Sequence, residues 1–261
     1  MIQFAVIGGT GVEHFTLTEQ RVITVETPYG SVESVVGKLA NCELVFMSRH
    51  GRDHATPPHL VNYRANIWAL RKLGVRKIVA TAAVGSLSSN FHLGELVLLD
   101  QFLDFTKSRP QTFYEGGKQG VLHVDMTEPY CSAVRQAIMD ASEHIGFAVK
   151  NGACYVCTEG PRFETPAEIR MFQRLGADLV GMTSVPEVVL ARELGMCYAS
   201  IGMVTNEAAG IATHPLTHAE VMESMKELGV KVAQLIQATF EVWTPSLNCL
   251  CASANGEVGK F

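Results

Sequence analysis

Four groups of residues in this chain have the types and spacing to do chemistry together. The first is Gly8-Gly9-Thr10-Gly11, a glycine-rich turn after an apolar run, which brings backbone amides close to an anion and adds the Thr10 hydroxyl. The second is Ser48-Arg49-His50-Gly51-Arg52-Asp53-His54, where guanidinium forks match phosphate oxygens and cannot lose their charge. The third is Phe163-Glu164, an aromatic ring and a carboxylate just outside a helix start, placed to stack on a purine and hydrogen-bond its edge. The fourth comprises Thr183, Thr205 and Asn206, which end two apolar runs and so could share the crevice beyond the carboxyl ends of parallel strands. Any one of these could equally be a solvated turn, since Thr and Asn are common there. The glycine spacing fits neither a P-loop, which needs a following Lys-Ser or Lys-Thr, nor the dinucleotide fingerprint.

The elements that must position these residues follow from periodicity and punctuation. Residues 178–183 form a short run suited to a strand buried on both faces. Ser184 and Glu187 then offer a capping box, with Pro186 in the first turn of a helix ending near Gly195. Residues 197–205 read as a second buried strand and 206–210 as a polar turn. Earlier in the chain come an N-terminal strand, meandering strands within 20–47, a helix over 59–73 and a buried strand over 77–85. Small side chains at the end of that strand would let the amide of Ala83 reach a ligand. A further strand covers 94–103, a loop 105–122 leads to His123, a helix spans 127–145, and a strand spans 152–157. Thr165 and Glu168 offer a second capping box. A third, Thr217 with Glu220, opens the last helix, which runs to about Thr239 and carries His218 in its first turn.

With 261 residues, 47% of them hydrophobic, the chain can build one large α/β core. We expect a single domain over 1–245 and a tail over 246–261. A net charge of −5 with no polybasic run argues against a nucleic-acid surface. No apolar stretch has the length to cross a bilayer and no signal peptide is recognisable, so the expectation is a cytoplasmic protein without a membrane partner. Seven cysteines fit reduced thiols better than a disulfide framework. Cys154 and Cys157 have CxxC spacing but no second pair to complete a zinc site, and we expect no bound metal. Cys249 and Cys251 lie in the tail, where exposure would leave them open to oxidation.

Taken together, these motifs resemble the trimeric purine nucleoside phosphorylases, and within them the methylthioadenosine phosphorylase branch. Besides the segments above, the resemblance rests on Asn62-Tyr63-Arg64-Ala65-Asn66-Ile67-Trp68, Gly85-Ser86-Leu87, Glu159-Gly160-Pro161-Arg162-Phe163 and Gly181-Met182-Thr183-Ser184-Val185-Pro186-Glu187. It implies a three-layer α/β/α fold around a mixed, partly barrel-like sheet, a trimer or dimer of trimers, and a role in purine salvage. The implied reaction is reversible phosphorolysis of a purine nucleoside, with inorganic phosphate as co-substrate and no cofactor. Residue by residue, the resemblance gives Thr10, Arg49, His50, Thr183 and the backbone of Ala83 to phosphate. Met182 would lie under the ribose, Phe163 on the base, and His123 would come from a neighbouring subunit. Ala82 stands where the family often has Thr.

Around the base the chain departs from the methylthioadenosine branch. That branch carries Thr-Asp-x-Asp and Phe-Ser, whereas this chain has Thr205-Asn206-Glu207-Ala208 and Phe163-Glu164, which resemble the 6-oxopurine enzymes. The chemistry agrees. The Asn206 amide donates to N7 and O6, an ionised Glu164 accepts from N1–H, and a 6-aminopurine presents the reverse pattern. Inosine and guanosine are therefore the expected substrates, with Asn206, Glu164 and Arg49 central to catalysis. Methylthioinosine or methylthioadenosine is the alternative. His218 matches a position that is His in phosphorylases of ordinary nucleosides and suits a 5′-hydroxyl. A non-catalytic nucleotide-binding protein of the same fold is the rival from another class.

Overall fold

The computed structural model describes residues 2–9, 12, 17–39, 42–51, 55–212, 217–243 and 249–256, without the side chains of His218 and Glu220. Among the described residues eleven strands form one mixed sheet: β1 (Phe4–Gly8), β2 (Thr18–Thr27), β3 (Gly30–Leu39), β4 (Cys42–Ser48), β5 (Lys77–Ser86), β6 (Leu96–Leu98), β7 (Gln101–Phe105), β8 (Val149–Asn151), β9 (Cys154–Thr158), β10 (Leu179–Gly181) and β11 (Cys197–Glu207). The helices are α1 (Tyr63–Lys72), α2 (Ser132–His144), α3 (Pro166–Arg174), α4 (Glu187–Glu193) and α5 (His218–Val242).

Alternation along the buried strands sorts side chains into two cores and so creates three layers. Ala5, Ile7, Ile78 and Ala80 point to one face, where they meet Ile67 and Leu70 of α1 and Val188 and Leu190 of α4. Val6 and Val79 point to the other, with Val134 and Ile138 of α2 and Leu228, Val232 and Leu235 of α5. A smaller cluster seats Ile169 and Phe172 of α3 on Val156 and Val180. Buried on both faces, β5 reads between Lys77 and Ser86 as an apolar run interrupted only by Thr81.

β5 is also where the sheet forks. β11 pairs with it in parallel along its whole length, which occupies one edge. On the other edge β1 pairs only with Lys77 to Ala80, and β10 returns antiparallel only at Gly85 and Ser86. Between them, Thr81 to Val84 have no strand neighbour on that edge among the described residues. The opening left there is the floor of the site.

Several local expectations are corrected. The strand expected over 94–103 is two, because at Leu99 and Asp100 the chain leaves its β11 partner and joins β9: Leu99 N–H bonds Ser200 O and Asp100 N–H bonds Ala153 O. The helix expected over 59–73 is a single 3₁₀ turn followed by α1, since the Asn62 side chain accepts from Ala65 N–H and starts the helix afresh. The helix expected from 127 begins at Ser132. The Thr165–Glu168 capping box forms with both reciprocal bonds, whereas the Ser184–Glu187 box does not. Ser184 sits at φ +75° with its hydroxyl against Tyr130, and Glu187 faces the core. The side chain of Glu220, half of the Thr217 box, lies outside the described residues. β11 continues to Glu207, past the turn expected at 206. Residues 249–256 of the tail are docked: Cys251 is buried, and the Asp125 N–H bonds Ala254 O.

Candidate active site

A cavity of about 820 Å³ opens at the fork. Its floor is the unpaired edge of β5. The carbonyl of Thr81 points to this edge, because it accepts from Arg49 Nη1 at 2.7 Å. Backbone groups alternate sides along a strand, so the Ala83 N–H shares that edge and lies beyond the end of β1. Gly9 completes the floor, its N–H donating to the Thr81 hydroxyl at 3.1 Å. A Cβ on Gly9 would lie 2.9 Å from Arg49 Nη1 and 3.2 Å from Thr81 O, so only glycine permits this approach.

Arg49 follows β4 and is fully buried. Its Nε and Nη2 fork onto Glu187 at 2.8 and 2.7 Å, and Glu187 also accepts from the Tyr198 hydroxyl at 2.6 Å. Of the five guanidinium N–H groups, these bonds and the one to Thr81 engage three. Among the described residues two have no partner, on Nη1 and Nη2. Burial works against the Arg49 charge, but the Glu187 carboxylate more than restores it and holds the guanidinium above its ordinary value. Beside it, His50 Nδ1 lies 2.9 Å from Thr56 O and the ring is largely buried. Thr183 is fixed through its backbone, its N–H donating to the Tyr155 hydroxyl at 3.1 Å while that hydroxyl donates to Thr183 O at 2.7 Å. The left-handed Ser184 that follows is a strained conformation for a non-glycine residue. It turns the chain so that Thr183 faces the cavity and Glu187 faces Arg49.

At the other end of the cavity a bulge does the positioning. The β11–β5 register shifts between Val204 and Asn206, leaving Thr205 unpaired and aiming Asn206 inward. The Asn206 Nδ2 donates to Glu207 O at 2.8 Å, and its Oδ1 accepts from the Thr205 hydroxyl at 2.8 Å. A backbone carbonyl can only accept, so the amide orientation is fixed and one N–H is left for a ligand. Glu164 accepts from the Thr158 hydroxyl at 2.6 Å, and burial raises its carboxyl above the ordinary value. The capping box of α3 stands directly behind it. There Arg162 and the Thr165 amide hold the Glu168 carboxyl down to about 2, so this helix start stays charged. Phe163 and Met182 complete the wall, with Met182 packed over Gly160. One polar end built on a buried guanidinium and backbone amides, and one wall carrying a carboxylate, an amide and a ring, suit a ligand with an anionic part and a flat heteroaromatic part.

The Phosphorylase superfamily pattern matches residues 3–241. The chain belongs to the phosphorylase superfamily. Over 259 residues it is 48% identical to the 6-oxopurine nucleoside phosphorylase of Pyrococcus furiosus, covering 97% of this chain and 98% of that one. It is 50% identical over 255 residues to the probable S-methyl-5′-thioinosine phosphorylase of Methanopyrus kandleri, covering 97% and 98%. Among solved structures it is similar to a methylthioadenosine phosphorylase from an Antarctic soil metagenomic library, with TM-score 0.91, 34% identity, and 98% and 92% of the two chains covered. The three-layer arrangement is thus the nucleoside phosphorylase fold.

Of the site residues anticipated for this phosphorylase-superfamily chain, Arg49, His50, Ala83, Phe163, Glu164, Met182, Thr183, Thr205 and Asn206 all line the one cavity. Thr10 lies outside the described residues. His218 opens α5 with its side chain also outside them, while Val221 and Met222, three and four residues on, line the cavity. His123 is exposed and does not line it. The sequence reading missed Glu187, taken as a helix cap although it is the buried partner of Arg49. It also missed Arg109, in the long segment expected to be a loop of functional or interface character. Arg109 is buried and donates to Val185 O, Thr158 O and Glu159 O, tying together the two loops that carry Thr183 and Glu164. The usable signal was a lone arginine within a polar, aperiodic segment. Tyr155 and Tyr198 were hidden in apolar runs where their hydroxyls left no pattern.

Proposed function

We infer that this protein is a purine nucleoside phosphorylase that cleaves 6-oxopurine nucleosides, inosine and guanosine, with phosphate, giving free base and ribose 1-phosphate. The observation that carries this reading is the pairing of Glu164 and Asn206 on one wall, an acceptor for N1–H and a single free amide N–H on the O6 and N7 side, facing the amide-lined floor. The relatives at about half identity agree in naming a 6-oxopurine substrate.

Phosphate rests on the Ala83 amide, the two remaining N–H groups of Arg49, and the Thr183 and Thr10 hydroxyls, with His50 beside it. One of its oxygens attacks C1′ as the bond from C1′ to N9 breaks. The bonding pair leaves with the purine, and positive charge builds on the ribose next to the bound anion. No side-chain base is required, because the nucleophile is already anionic. The protein works by positioning and by fixed donors. Asn206 donates to N7 as charge collects there, Glu164 holds N1–H, Phe163 covers the base and Met182 lies under the ribose. His123 is exposed and outside its own cavity, which fits its reaching the 5′ end of a neighbour's ribose in a trimer or dimer of trimers. We place the reaction in cytoplasmic purine salvage by a single catalytic domain over 1–245.

The test is release of free base from inosine, guanosine, adenosine, methylthioinosine and methylthioadenosine, each with and without phosphate. Phosphate-dependent cleavage of the 6-oxopurine nucleosides is expected, and preference for adenosine or methylthioadenosine would overturn the reading. A second reading, S-methyl-5′-thioinosine phosphorolysis, is favoured by Val221 and Met222, apolar cavity residues beside His218 that would accept a 5′-methylthio group. It predicts methylthioinosine above inosine in the same assay.

A further inference from the structure

At the opposite end of β11 from Thr205 and Asn206, four cysteines distant in sequence converge. They are Cys131 at the start of α2, Cys197 as the first residue of β11, and Cys249 and Cys251 from the tail. Their four sulfurs all lie within 4.8 Å of one another, and Cys197 Sγ is 3.4 Å from Cys249 Sγ. Three of the four residues are buried and the fourth is half-buried. We propose that Cys131, Cys197, Cys249 and Cys251 form a structural tetrathiolate site for Zn(II) that clamps the tail to the catalytic domain.

Three observations carry the assignment. The first is distance. Zinc with bonds of ~2.3 Å to four sulfurs in a tetrahedron sets sulfurs ~3.8 Å apart, a value bracketed by the observed 3.4 and 4.8 Å. A disulfide needs its sulfurs ~2.05 Å apart and joins cysteines in twos, whereas here each sulfur approaches all three others. The second is charge. Arg192 is buried, and its Nη1 lies 3.3 Å from Cys251 Sγ; its carboxylate neighbour, Asp125, is exposed and more distant at 3.7 Å. A buried guanidinium aimed at sulfur fits a cluster carrying negative charge, and a tetrathiolate zinc centre carries two. Cys131 stands at the N-terminus of the 13-residue α2, where the helix dipole also favours thiolate. The third is scaffolding. Cys131 N–H bonds Tyr198 O, and the turn at Gly195 comes close to the Cys251 carbonyl, with the nearest approach of a Cβ there 3.4 Å from Ala252. The four sulfurs are thereby presented from a helix start, a strand start and one short turn. Binding forms four Zn–S bonds and releases four thiol protons.

The site was not visible in the sequence. Cys249 and Cys251 stand alone as a CxC pair, and their partners lie inside an apolar strand and at a helix start with no ligand spacing. Its distance from the cavity along β11 assigns it to stability rather than to chemistry.

The test uses the full chain, purified under reducing conditions, given Zn(II) in slight excess, dialysed, and analysed for metal by mass spectrometry. About one zinc per chain is expected, falling at least fivefold in Cys197→Ser and in Cys249→Ser. Because a variant could fail to fold, the wild-type chain is also loaded with Co(II), which should show the intense ligand-field bands of tetrahedral thiolate coordination. Removing zinc with a chelator should lower the melting temperature while leaving KM for inosine unchanged. Failure to retain Zn(II), retention undiminished in both variants, octahedral Co(II) spectra, or two disulfides accounting for all four cysteines in the reduced preparation would each overturn the proposal.

Discussion

Glu187→Gln is the perturbation that most directly probes how the site is built. In the protein Glu187 takes two short bonds from Arg49 and one from Tyr198, with both charged side chains wholly removed from water. Gln has nearly the same shape and keeps one acceptor oxygen, but its NH₂ faces a guanidinium N–H, donor against donor, and the buried positive charge loses its counter-ion. Breaking a buried pair costs about 3–5 kcal/mol. The surviving acceptor puts this case at the lower end, near 3 kcal/mol, which for a chain of this size is a fall in Tm of roughly 6–12 °C. Arg49 is also the floor's cation, so its displacement should raise KM for phosphate about tenfold, equivalent to ~1.4 kcal/mol, with KM for the nucleoside little changed. Thermal unfolding and initial rates of base release over a phosphate titration give both readings. The double variant Arg49→Met with Glu187→Leu separates them, because replacing both charges by apolar groups should recover most of the Tm but none of the phosphate affinity. A Glu187→Gln protein whose Tm moves by less than about 2 °C, with phosphate KM unchanged, would refute the account of Arg49 as a donor held by Glu187.

Three further outcomes are expected. Because burial raises the Glu164 carboxyl, it protonates as pH falls before an ordinary carboxylate would. The kcat/KM for inosine should therefore drop on an acid limb above the usual carboxylate range, and Glu164→Gln should remove that limb and cost about 10–100-fold. Asn206→Asp exchanges the donor for an acceptor, so the ratio of adenosine to inosine kcat/KM should rise by at least about tenfold; a fall in both with an unchanged ratio would count against base readout by this residue. Gly9→Ala puts a Cβ 2.9 Å from Arg49 Nη1 and should abolish phosphate saturation while the fold, checked by circular dichroism, persists.

How much of this was legible in the sequence depended on whether the signal was local. Thr183, Thr205 and Asn206 could be read because strand ends in a parallel sheet announce themselves by an apolar run followed by polar residues. The Thr165–Glu168 box could be read because both of its bonds lie within one helical turn. The same local pattern failed at Ser184 and Glu187. There Arg49, 138 residues away, captures the carboxylate that would have closed the box, and the left-handed Ser184 gives its hydroxyl to Tyr130. The fork of β5 was likewise invisible, since periodicity shows that a strand is buried but not where its neighbours stop. The tail cysteines looked exposed because the 3₁₀ turn and the Asp125–Ala254 bond that dock them depend on distant partners.

The two ends of the cavity are built from different materials, and this bears on what similarity can say about specificity. The floor is made of backbone and of side chains locked in the core: the β5 edge, Gly9, Arg49 forked on Glu187, and Thr183 held by Tyr155. A change there disturbs buried charge or packing. The base wall is made of Glu164, Asn206 and Phe163, carried on a loop, a bulged strand end and a half-exposed ring, where donors and acceptors can be exchanged without touching the core. A TM-score of 0.91 to a methylthioadenosine phosphorylase at 34% identity reports on the shared frame. Which purine enters is decided by a few atoms, the carboxylate of Glu164 and the amide of Asn206, and these point to a 6-oxopurine even though the chain shares its scaffold with a methylthioadenosine phosphorylase.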